Sequence, residues 1–118
     1  MKDRKIGDTG IFYPEWFRQQ NFEFGDILIL VGKGKAEAVA REVYRRYKTV
    51  LMSSWRIDTV ANLVIQAYYT DSTMLKDMIE EIRTIDNVER VEFSEYVNIV
   101  TRSYEEVMKD IRQLSIKK

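Results

Sequence analysis

Ser53, Ser54, Asp58 and Asn62 crowd one short stretch of the chain. Together they offer what a free α-amino acid requires: hydroxyl donors for its carboxylate, a carboxylate for its ammonium, and an amide that serves either. The plainer alternative is an ordinary polar hairpin, and it stands slightly ahead on these residues alone. Other stretches point to chemistry more weakly. Gly32-Lys33-Gly34-Lys35 follows an apolar run and precedes a helical pattern, where a phosphate cradle would sit. It lacks the Walker spacing and the Ser or Thr after lysine, so it reads as a turn with solvated lysines. Asp77, Glu80 and Glu81 invite a cation, but Asp77 and Glu81 fall on the polar face of an amphipathic helix and read as solvated. Arg41, Arg45 and Arg46 make a basic strip with Glu42 interleaved, again a solvated face.

Two absences prune the remaining chemistry. The chain has no His and no Cys, which removes imidazole acid–base catalysis, thiol nucleophiles, disulfides and His- or thiolate-ligated metals. No catalytic set of carboxylate, Lys, Tyr or Ser stands out in what is left, so we expect no enzyme, no cofactor and no metal. Lys plus Arg equals Asp plus Glu at 19 each. A free-standing nucleic-acid binder usually carries a basic excess, because phosphate neutralisation supplies most of its affinity. The start, Met1-Lys2-Asp3-Arg4-Lys5, is no secretory signal, and the longest apolar run, Ile27 to Val31, is too short for a bilayer. The expectation is a soluble, cytoplasmic chain without a membrane partner.

The elements that would carry these residues follow from periodicity. At 118 residues with 45% hydrophobic and 32% charged residues, one globular core is expected. Asp26 to Gly32 is an unbroken apolar run, the mark of a strand buried on both faces. Ala36, Val39, Ala40, Val43 and Tyr47 then recur at helical spacing. Thr49–Trp55 and Asn62–Tyr69 are β-rich. Asp71 or Ser72 caps a helix striped by Leu75, Met78, Ile79, Ile82 and Ile85, which should end near Asp86-Asn87. Val88 to Val100 alternates, with Val91, Phe93, Val97 and Ile99 on one face and Arg90, Glu92, Ser94 and Asn98 on the other; Glu95 interrupts the apolar face and marks a bulge or an end. Ser103 and Glu106 form a capping box for a last helix. Strand, helix, strand, strand, helix, strand is the β-α-β-β-α-β order of the ferredoxin-like α+β sandwich, here with an added C-terminal helix. Residues 1–25 are expected to be an N-terminal linking segment and 26–118 the domain. Within the segment, Gly10 to Tyr13 suggests a strand and Pro14 the first position of a helical turn. Trp16, Phe17, Phe22 and Phe24 should pack on this sheet or on a partner.

One face of such a sheet has no helices. Leu28, Leu30, Val64 and Tyr68 fall on it, and a monomer would leave them as an apolar patch. Homodimerisation through this face is the expected remedy; a C-terminal helix folded over it is the alternative. Trp55 and Tyr68 suit either an interface or a pocket wall.

From Asp26 to Val100 the sequence resembles the effector-binding half of the Lrp/AsnC transcription regulators. The resemblance rests on Ile27–Gly34, the helix Ala36–Tyr47, the polar hairpin into Asn62-Leu63-Val64-Ile65, the helix opening at Asp71-Ser72, and Asp86-Asn87-Val88 before the last strand. It covers about three-fifths of the chain by inspection. It departs from the family where Trp55-Arg56-Ile57-Asp58-Thr59-Val60-Ala61-Asn62 lacks the usual Gly and aromatic-Asp pair, and where Glu92-Phe93-Ser94 replaces a Thr-rich strand. What it implies is an amino-acid effector site near the hairpin at a contact between dimers, drawing on Ser53, Ser54, Asp58, Asn62 and Ser94. It also implies a homodimer or higher homo-oligomer. DNA would be reached only through a helix-turn-helix module missing from this chain, whose tail Met1–Gly7 resembles, or through a partner regulator. Two rival expectations are an enzyme of the dimeric ferredoxin-like barrel type and an assembly module without a ligand.

Overall fold

The structure is a computed structural model that describes residues 13–97, 100 and 102–117. Among the described residues eight elements follow one another: α1 (Tyr13–Gln19), β1 (Glu23–Val31), α2 (Ala36–Arg46), β2 (Val50–Trp55), β3 (Leu63–Tyr69), α3 (Ser72–Ile82), β4 (Val88–Glu95) and α4 (Tyr104–Lys117). The four strands form one antiparallel sheet in the order β2-β3-β1-β4. This is the expected ferredoxin-like α+β arrangement, with the apolar strands β1 and β3 in the centre. Tyr13–Tyr96 is one compact unit; α4 belongs to a second and is described by itself.

Strand alternation decides what each face holds. Ile27 and Ile29 of β1 and Leu63, Ile65 and Ala67 of β3 are fully buried under α2 and α3, which contribute Val39, Ala40, Val43, Met78 and Ile82. Truncating one of the Ile, Leu or Met side chains among them to Ala costs about 2–5 kcal/mol. Gly25 is required by close approach: a Cβ there would lie 2.6 Å from Cζ of Phe93 and 2.8 Å from the Ser94 carbonyl oxygen. Gly34 is required by its φ of +77°, which closes the turn into α2. The Asp71 carboxylate caps α3 by accepting from the Met74 backbone N–H at 2.9 Å. Ser103 and Glu106 cap α4 reciprocally, at 3.1 and 3.2 Å.

Four boundaries differ from expectation. β1 begins at Glu23, so the expected domain start at Asp26 falls inside a strand; Phe24 pairs with Tyr68 and is buried. Pro14 is the second residue of α1, not its first. α3 ends at Ile82, short of Asp86-Asn87, although Ile85 still packs against the core from the turn that follows. β4 ends at Glu95, where the apolar face is interrupted, and Val97 lies beyond it, 84% exposed. Asn98, Ile99, the Met1–Gly7 tail and the possible strand from Gly10 lie outside the described residues.

The aromatic cluster packs on the chain's own sheet. Phe17 of α1 stacks on Tyr68 at 4.6 Å and on Phe24 at 5.6 Å, and Phe22 meets Tyr68 edge-on at 5.1 Å. Phe17 is 6% exposed in consequence. The face opposite α2 and α3, expected to carry no helix, is therefore covered at one end by α1.

Candidate effector site and subunit face

The β2–β3 hairpin carries most of the expected site residues, and strand geometry separates them. Ser53 pairs with Ile65 and so faces the helices; Ser54 pairs with Val64 and faces the open side. Beyond β2 the chain turns through Arg56–Asn62. Asp58 closes this turn on itself, one carboxylate oxygen accepting the Val60 backbone N–H at 2.8 Å. That bond is the main reason the Asp58 carboxyl lies below its usual range. The Asn62 amide is engaged elsewhere: it accepts from Val31 N at 2.9 Å and donates to Val31 O at 3.0 Å. Ser94 faces the open side from β4, three strands away from Ser54, roughly 14 Å by strand spacing. The structure thus places Ser54 and Ser94 on one face but apart, Ser53 on the other, and Asp58 and Asn62 in the hairpin with local bonds.

Two arginines tie the hairpin down. Arg56 donates to Ser54 Oγ at 2.9 Å, and Arg90 reaches from β4 to the Val60 carbonyl at 2.8 Å. Neither was singled out by the sequence; Arg90 alternates onto the same face as Leu30, which it pairs with, and that parity was the available signal.

The open face has an apolar centre and a polar surround. Leu28, Leu30 and Val64 are half-buried there, next to one another by register. Tyr68 shares the face but lies under Phe17. Beside the apolar centre runs a row of Gln66, Asp26 and Ser94 across β3, β1 and β4. One oxygen of Asp26 is buried without a hydrogen-bond partner among the described residues. Burial raises the Asp26 carboxyl above its usual range, and the Arg56 charge partly opposes this.

A cleft of about 290 Å³ opens between α2 and the edge strand β2, walled by Tyr44, Leu51, Met52 and Trp55 with Ser53 at its base. Of its lining, the sequence marked Trp55 as a pocket or interface aromatic and Ser53 as a candidate ligand contact, while Tyr44, Leu51 and Met52 carried no such signal. The Ser53 hydroxyl oxygen is buried there without a described partner.

The remaining candidates carry structural bonds. On α2, Arg41 pairs with Glu37 at 2.8 Å, and Arg45 and Arg46 both pair with Glu42 at 2.7 and 2.6 Å, so the basic strip is largely neutralised. Glu80 pairs with Arg83 at 2.8 Å, and Glu81 accepts from the Tyr47 hydroxyl. Among the described residues no group of three or more acidic side chains is placed to hold a metal ion. No helix among them is long and apolar enough to cross a membrane.

No protein-family model matches the sequence, and no curated protein matches it. Solved structures share the fold. E. coli AsnC superposes with a TM-score of 0.60 at 19% identity, over 86% of this chain and 72% of that one. A transcriptional regulator of Neisseria meningitidis, solved in complex with L-Met, gives 0.60 at 15%, over 86% and 70%. A protein of Thermus thermophilus gives 0.57 at 18%, over 68% of this chain and 99% of that one. At these identities the likeness establishes a shared fold and nothing finer: the chain has the ferredoxin-like α+β architecture that these proteins share.

Proposed function

We propose that this chain is a non-catalytic sensing and assembly domain of Lrp/AsnC type, acting in the cytoplasm as a homodimer or larger homo-oligomer. The observation that carries the reading is the sheet's open face, where Leu28, Leu30 and Val64 are apolar, adjacent and only half-buried. A second copy buries that patch, which a monomer would leave to water. DNA contact then belongs to another module or a partner regulator, because this chain has no net positive charge.

The proposed effector is a small molecule, with amino acids first. L-Met is the first to titrate, because a regulator of the same fold was solved with it. In this reading the ligand sits by the Trp55–Asn62 hairpin, with Asp58 opposite its ammonium. Occupancy alters assembly only if one assembly state binds the ligand better than another. The scatter of Ser53, Ser54, Asn62 and Ser94 favours a second reading, an assembly module with no ligand.

Thermal unfolding of the chain with increasing amounts of each common amino acid decides between them. A ligand raises the midpoint with concentration. If one does so for wild type and equally for Asp58→Ala, Asp58 is not the ammonium partner. If none does, the assembly-only reading holds.

A further inference from the structure

The last helix is written as two heptads. Taking Tyr104 as position a puts Val107 at d, Ile111 at a and Leu114 at d. This 3-4-3 spacing is the seam of a coiled coil. In α4 the seam is unburied: Tyr104 is 54% exposed, Val107 37%, Ile111 49% and Leu114 63%. The helix does not depend on packing to start, since the Ser103–Glu106 capping box fixes its first turn. Its charge is polarised. Glu105 and Glu106 occupy the first turn, while Lys109, Arg112 and Lys117 lie further along.

We propose that the exposed stripe of α4 pairs with α4 of a second copy of this chain, antiparallel and about a twofold axis. A parallel pair would set the acidic first turns side by side and align the two helix dipoles. The antiparallel pair brings each acidic start towards the basic end of the other helix and opposes the dipoles. It also matches sizes along the seam: Tyr104 layers against the partner's Leu114, and Val107 against the partner's Ile111. Met108 flanks the seam near the axis. Asp110 meets the partner's Asp110 at the solvent-exposed edge, where water and salt screen the repulsion.

Fourteen residues make a seam of about 21 Å, too short to hold two chains by itself. The pairing therefore acts as a second contact in an assembly joined elsewhere, where linkage raises the effective concentration of the helices. It rests on the assembly proposed above through the sheet face, and the two contacts are read by different measurements.

The absence of Cys makes the test clean, because introduced thiols report only themselves. Tyr104→Cys and Leu114→Cys chains, distinguishable by mass, are mixed, unfolded, refolded together and mildly oxidised. The expected product is the mixed disulfide, exceeding either homodimer by about tenfold or more, since only facing a and d positions come within disulfide reach. Adding Ile111→Asp to both chains should abolish the link while leaving the thermal midpoint unchanged, Ile111 being exposed. An excess of the Tyr104→Cys homodimer would mean parallel pairing and overturn the proposal. A statistical mixture, or no linked product, would overturn it as well. Sedimentation of Leu28→Lys reads the sheet face independently, so failure of one contact leaves the other measured.

Discussion

Asn62 completes a β-ladder with its side chain. The β1–β3 register ends at Ile29 paired with Leu63; continued, it would pair Leu30 with Asn62 and then Val31 with Ala61. Instead the Asn62 amide both accepts from and donates to the Val31 backbone, at 2.9 and 3.0 Å. One side chain thereby replaces a strand residue and frees the chain to turn into the hairpin. Asn62→Ala should cost about 1–3 kcal/mol, because two part-buried backbone groups lose their partners. Asn62→Asp should also destabilise, since a carboxylate cannot donate to the Val31 carbonyl. The denaturant midpoint checks both; unchanged midpoints would show that water replaces the amide without loss.

Phe17 roofs one end of the open face. Removing it exposes Phe24 and Tyr68, which it stacks upon. Phe17→Ala should lower stability by about 3–5 kcal/mol, the usual range for losing a buried aromatic. If the cost is below about 1 kcal/mol on that scale, α1 is not part of the folded unit in solution.

The Tyr47 hydroxyl donates to Glu81 and joins the C-terminal end of α2 to α3. Burial, then the Glu81 bond and charge, push the Tyr47 phenol up to about 12. The protonated phenol is the form favoured by folding. Its contribution is therefore full below the unfolded value near 10 and is lost as pH rises to about 12. Tyr69 and Tyr96 are also raised, so the informative quantity is the wild-type minus Tyr47→Phe difference in stability. That difference should shrink between pH 10 and 12 and be flat below it. A difference constant across the window would contradict the assignment.

The sequence displayed the frame of the fold better than its site. The unbroken β1 run and the α3 stripe announced their elements, because burial on one or both faces imposes a period that neighbours repeat. Glu95 correctly marked the end of an apolar face. The site residues behaved differently. Adjacent Ser53 and Ser54 had to point to opposite faces once both lay in a strand, a parity the sequence did contain. Asn62 could not be read this way, since its partner Val31 lies far along the chain and meets it only after the sheet forms. Phe17 likewise finds Phe24 and Tyr68 through tertiary packing, which local periodicity does not record.

Binding to duplex DNA by this chain alone should be no better than non-specific at physiological salt. The net charge is zero, and the arginines of α2 are paired with Glu37 and Glu42. Too few free cations remain in that strip to release many counterions. Gel retardation against specific and scrambled duplexes checks this. A clear preference for one sequence would place a reading surface within these residues.

Sedimentation of the wild-type chain beside Leu28→Lys tests most directly the proposal that the open face is a subunit contact. A lysine at this half-buried central position would bring an unpaired charge into the contact. The account predicts that wild type sediments as a dimer or larger species, and that Leu28→Lys sediments as a folded monomer or fails to fold. Val64→Lys, on the neighbouring strand, should behave the same way. A stable, monodisperse wild-type monomer at micromolar concentration would contradict it.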